Sequence, residues 1–70
     1  MNETIGDRIS YLRHKKNLSG TDIYRLTGIT PSMLSRLENN TKTELSSEYV
    51  LKLSELFGVS CDYLICGKTD

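Results

Sequence analysis

The sequence predicts an all-α domain: five short helices around one core. Three observations carry that expectation. Apolar residues recur three and four positions apart in several short segments, the spacing that lines one face of a helix, and no stretch alternates as a strand would. Ser or Thr stands ahead of these segments, placed to accept from the free N–H groups of a first turn. Gly or Asn stands behind them, where a residue tolerant of positive φ ends a helix.

Seventy residues make one small domain, read as residues 1–70 with a core over 4–67. A chain of this length buries only ~60% of its unfolded surface, so its stability is modest and a partner helps. In the first helix, Thr4 is the N-cap, with Asp7 three residues on and near the positive end of the dipole. Ile5, Ile9 and Leu12 share its buried face. It runs out in Arg13-His14-Lys15-Lys16-Asn17, where basic residues suit the helix end and Asn17 tolerates the left-handed cap. This cluster reads either as a solvated helix end or as a contact for an anion.

Ser19 caps the second helix, about Gly20 to Leu26, and Asp22 stands at capping-box spacing. Ile23 and Leu26 share one face, and Gly28 ends it. Thr30 caps the third helix, about Pro31 to Asn39, with Pro31 at the first position, where a missing N–H has no consequence. Leu34 and Leu37 face inward; Ser32, Ser35, Arg36 and Asn39 point elsewhere. Asn40 to Glu44 is polar and aperiodic, a loop. Ser46 or Ser47 caps the fourth helix, whose broad apolar face is Val50, Leu53 and Phe57 with Tyr49 and Leu56. Gly58 stops it. Ser60 caps a fifth helix carrying Asp62, Tyr63, Leu64 and Ile65, and Gly67 ends it. Lys68 to Asp70 should fray.

Two short amphipathic helices joined by a glycine-containing corner, the second polar on its outer face, suggest a helix-turn-helix over Ser19 to Asn40. From Ile5 to Gly67 the chain resembles the lambdoid phage repressor and Cro family of Xre type. The residues that carry the resemblance are Ile5-Gly6-x-Arg8-Ile9-x-x-Leu12-Arg13, Leu18-Ser19, Leu26-Thr27-Gly28-Ile29-Thr30, Leu34-Ser35-Arg36-Leu37-Glu38-Asn39, Leu51-Lys52-Leu53 and Gly58-Val59-Ser60-x-Asp62-Tyr63-Leu64. The resemblance implies a compact five-helix, lambda-repressor-like domain with the helix-turn-helix formed by helices 2 and 3. It implies a transcriptional regulator, a Cro-like repressor that reads double-stranded DNA with helix 3.

The resemblance places the base-reading positions on Pro31, Ser32, Met33 and Arg36. Arg36 has the best chemistry for it, because a planar fork can bond guanine O6 and N7 together. Ser32 can bond a base edge or a phosphate, Met33 can pack on a thymine methyl or fill a gap, and Pro31 offers shape alone. Helix N-termini favour anions, so Ser19, Gly20 and Thr30 are phosphate candidates, as are Asn39, which equally suits a C-cap, and Lys42, which the resemblance sets beside the backbone. Glu38 would repel phosphate and is read as structural, paired with a nearby cation.

Three residues depart from the family. Gly20 stands where relatives often have a phosphate-binding Gln, and keeps only its backbone N–H. Tyr24 stands where relatives usually have Ala; it must point outward or splay helices 2 and 3. Pro31 opens the reading helix where polar readers are common.

One small domain reads few base pairs, so the regulator should bind as a homodimer on a pseudo-palindromic site; Tyr63, Ile65 and the helix 4–5 corner are the expected contact. Nine basic residues balance nine acidic ones, which argues against a strong non-specific grip on phosphate without excluding a local patch. With the departures at Gly20 and Pro31, this keeps open an alternative, a protein-interaction module derived from the same fold. No paired carboxylates, nucleophile with a base, or phosphate loop points to an enzyme. Cys61 and Cys66 do not share a helical face and make no metal site even with His14. No cofactor or small-molecule ligand is evident. The polar N-terminus and the lack of a ~20-residue apolar run give no leader or membrane span, so a cytoplasmic protein is expected.

Overall fold

A computed structural model describes residues 4–41 and 45–67. Along them run α1 (Ile5–Lys15), α2 (Gly20–Thr27), α3 (Pro31–Glu38), α4 (Ser47–Phe57) and α5 (Cys61–Cys66). Each begins at a side-chain hydroxyl. Thr4, Ser19, Thr30, Ser46 and Ser60 accept from the backbone N–H three residues on, that of Asp7, Asp22, Met33, Tyr49 and Tyr63. Ser46, not Ser47, is therefore the cap of α4.

At α1 and α2 the capping box closes in both directions, although Asp replaces the commoner Glu. The Thr4 N–H, helped by the Asn40 side chain, holds the Asp7 carboxyl below the usual range, and the Ser19 N–H does the same for Asp22. Gly28 ends α2 at φ 84°, where a Cβ would be strained. Asn17 and Asn40 adopt positive φ as well; the second of these was not expected.

The core comprises Ile9, Leu12, Ile23, Ile29, Leu34, Leu37, Val50, Leu53, Phe57 and Leu64. The pairing of Ile23 with Leu26 is wrong: Leu26 is 57% exposed. The inward partner of Ile23 is Thr27, one full turn on. Its hydroxyl can be buried because it donates to the Ile23 carbonyl (2.6 Å) and accepts from the Ile29 N–H (3.1 Å). Ile29, in the corner between α2 and α3, is fully buried and anchors that turn.

α3 lies against α1 and α2, α4 against α2 and α5, and α5 returns to α1. Two residues of α1 explain how closely this closes. A Cβ built on Gly6 would sit 1.8 Å from the Leu37 carbonyl oxygen, so the backbones of α1 and α3 touch there. Arg8 is buried; its Nε donates to the Leu64 carbonyl (2.9 Å) and its Nη2 to that of Ile65 (2.7 Å). The last carbonyls of a helix lack intrahelical donors, and Arg8 supplies them to α5 from across the core.

Candidate nucleic-acid interface

The surface of interest is the outer side of α3 with the start of α2. Leu34 and Leu37 hold the inner side of α3 in the core, while Pro31, Ser32, Ser35 and Arg36 are exposed. The Arg36 side chain takes part in no hydrogen bond or ion pair among the described residues, so its fork is free for a ligand. Met33 is half-buried and packs against the core. Of the positions expected to read bases, three therefore stand outward and Met33 stands on the shoulder.

The phosphate candidates divide by what they already bond. The Ser19 hydroxyl accepts from Asp22 N–H and its own N–H donates to Asp22, which leaves Gly20 and Thr21 to offer the N–H groups of that helix start. At α3, Thr30 takes the N–H of Met33 with its hydroxyl and that of Leu34 with its carbonyl. Pro31 has no N–H, so Ser32 supplies the one that the first turn leaves over. Asn39 is the C-cap of α3, and its amide donates to the Ser35 hydroxyl (3.3 Å). Lys42 lies outside the described residues.

Gly20, Pro31, Ser35 and Asn39 come together around a shallow cleft of about 250 Å³ whose back is Arg13 and Glu38. Gly20 adds no side chain to it. A Cβ there would meet only Leu34 Cδ2, at 3.9 Å. Tyr24, one turn along α2, is about half exposed, and α2 and α3 stay in contact beside it. It turns outward, the first of the two outcomes its bulk allowed.

The back of α3 is held by an ion pair that sequence spacing does not reveal. Arg13 Nε meets Glu38 Oε2 at 2.7 Å and Nη2 meets Oε1 at 2.9 Å, while Nη1 donates to the Leu18 carbonyl at 3.1 Å. Both side chains are less than a fifth exposed. The bidentate geometry raises the Arg13 pKa further, through the hydrogen bond to Glu38 first. Glu38 thus has the structural role expected of it, with Arg13 as its cation. The reading of the α1 basic end as an anion contact fails for Arg13, whose charge is neutralised. Lys15 leans over the Tyr11 ring (5.7 Å), and His14 Nδ1 lies 2.7 Å from the Ser10 carbonyl oxygen. The one signal available for the pair was the presence of Arg13 and Glu38 within the family-like segments, 25 positions apart.

Elsewhere, Cys61 Sγ donates to the Ser54 hydroxyl, and Cys61 and Cys66 are both free thiols. Among the described residues no helix is long and apolar enough to cross a membrane.

Comparison with known proteins bears on this surface. The family model HTH_3, described as Helix-turn-helix, matches residues 9–64. The HTH-type transcriptional regulator SinR of Bacillus licheniformis is 32% identical over 66 residues, which is 94% of this chain. The chain spans 60% of the length of that relative. Among solved structures, the P22 c2 repressor protein in complex with synthetic operator 9T, in the presence of Tl+, superposes with a TM-score of 0.85 at 25% identity, covering 96% of this chain and 100% of that one. SinR in complex with DNA, a master regulator for biofilm formation, gives 0.79 at 33% identity over 87% and 97% of the two chains. The N-terminal DNA binding domain of SinR from Bacillus subtilis gives 0.78 at 33% identity, over 86% and 87%.

Proposed function

The chain belongs to this helix-turn-helix family, and we propose that it is a sequence-specific, double-stranded DNA-binding transcriptional regulator of the repressor kind. One observation carries the reading. α3 has its apolar side committed to the core, and on its other side it exposes Ser32 and an Arg36 with no side-chain partner among the described residues, on a helix that Arg13 and Glu38 hold in place. B-DNA admits a helix in its major groove, where base edges differ in donors, acceptors and methyls. The matches to a repressor bound to its operator and to a DNA-bound SinR domain support the same reading.

In this proposal Arg36 reads a guanine, with Ser32, Pro31 and Met33 as neighbouring readers. The N–H groups of Gly20, Thr21 and Ser32 meet phosphates, helped by Asn39 and Lys42. The role is binding and not catalysis. The regulator acts as a homodimer on a pseudo-palindrome with half-sites ~34–36 Å apart. Tyr63 and Ile65 flank the buried Leu64 on opposite sides of α5, Tyr63 partly packed against the core and Ile65 more open. We place the two-fold contact on the Ile65 side, where the side chain is about half exposed.

Selection from a random pool of duplex DNA about three helical turns long tests this. Wild type should enrich a two-fold symmetric sequence, and Arg36→Ala should relax one base pair in each half-site, worth about 1–3 kcal/mol of discrimination. Failure of folded wild type to enrich any sequence would overturn DNA reading and favour the interaction module.

A further inference from the structure

A second concave surface lies where α1 meets the α4–α5 corner, and none of its lining residues comes from α2 or α3. Tyr11, Leu12 and Lys15 of α1 line it together with Val59 and Tyr63 from the other side of the junction. Its volume is about 340 Å³, and Tyr11 remains 58% exposed. A small molecule needs a pocket that covers most of its surface, which a groove this open does not provide. An amphipathic helix lays apolar side chains into an open hydrophobic groove of this kind.

The charge at the groove identifies the partner's chemistry. Lys15 is the one charged residue among the described residues that line it, and no carboxylate does. Lys15 contacts the face of Tyr11, a weak exposed interaction, and no ion pair with it occurs among the described residues. Lys16 follows it on the same basic helix end, also exposed.

We propose that this groove docks an acidic amphipathic helix of a partner protein, with one apolar side chain seated between Tyr11 and Tyr63 and a carboxylate one turn away on Lys15. The inference goes beyond DNA reading. Because the groove and the outer face of α3 share no residue, a partner bound there leaves α3 open, and DNA and partner are held together.

The test uses a stapled helical peptide with Phe at the anchor and Glu one turn away, and a twin with Lys in place of Glu. Backbone amide shifts of the full chain, recorded without DNA, should move at Tyr11, Leu12, Lys15, Val59 and Tyr63. Lys15→Glu should weaken the Glu peptide at least tenfold and strengthen the Lys peptide. Tyr11→Ala should weaken the Glu peptide similarly, while its circular dichroism and any DNA affinity stay within twofold of wild type.

Equal binding of the two peptides, shifts centred on α3, or no saturable shift would overturn the proposal. So would sedimentation showing that Tyr11→Ala dissolves a self-association, which would make a second copy the occupant. A chain that takes the peptide but enriches no DNA would retain this inference and lose the DNA reading, so the two failures are distinguishable.

Discussion

The two sides of α3 are built on opposite terms. On the inner side every contact is constrained: Leu37 presents its carbonyl to Gly6 where no Cβ fits, Glu38 is forked by Arg13, and Leu34 and Leu37 are buried. On the outer side Pro31, Ser32, Ser35 and Arg36 are exposed, and the Asn39 amide reaches the Ser35 hydroxyl only through a long bond of 3.3 Å. The contrast teaches that a reading helix needs a rigid back and an uncommitted front. Substitutions on the front change what is read, while substitutions on the back change whether the helix is there to read.

The sharpest way to break that contrast is Gly6→Ala. The new methyl would overlap the Leu37 carbonyl, and neither is the end of a flexible side chain, so α1 and α3 must separate. Overpacking of this severity should cost about 3 kcal/mol or more, a large share of the ~5–15 kcal/mol available to a domain. A urea melt should show the loss, and Gly6→Ser should be no better.

Next comes Glu38→Ala, which leaves Arg13 partly buried beside no carboxylate. Exposed pairs are worth at most about 1 kcal/mol and breaking buried ones costs about 3–5; this pair, less than a fifth exposed, should lie between, near 2 kcal/mol. Arg13→Ala should cost more, because the Leu18 carbonyl also loses its donor. A double-mutant cycle then isolates the pair, and a coupling near zero would mean that α3 is held by apolar packing alone.

Gly20→Ala should act in the other direction. The helix start there has open space in front of it, and removing glycine freedom from the unfolded chain should raise stability by about 0.4–1 kcal/mol. Loss of stability would show that the cleft is tighter than the 3.9 Å approach to Leu34 implies.

The smallest effect sharpens the comparison most. Arg36→Ala should alter the unfolding free energy from a urea melt by no more than about 0.5 kcal/mol while changing what is selected from a DNA pool. Should it destabilise the domain by as much as Glu38→Ala, the front of α3 would be carrying structure after all.

Much of this was legible in advance because helix ends are local. A hydroxyl caps an N–H three residues away, so Thr4, Ser19, Thr30 and Ser60 could be placed by inspection, as could Gly28 and Gly58. Leu26 misled because an i, i+3 pair of apolar residues looks like a face whether or not the third contact is made. Spacing alone does not mark Thr27 as core, because a hydroxyl is buried only when its bonds are satisfied, and its partners are defined only by the turn to Ile29.

By itself, then, the sequence determined the class, the five helices, their caps, and a helix 3 with an apolar side and a polar one. Each follows from interactions within a few residues, where spacing is a sufficient description. Only the tertiary structure decided that Gly6 must be glycine, that Arg8 finishes α5, that Arg13 answers Glu38, and that a groove opens between Tyr11 and Tyr63. Those contacts join residues 25 to 57 positions apart or faces of different helices. Their geometry depends on how the helices cross, which local periodicity does not encode.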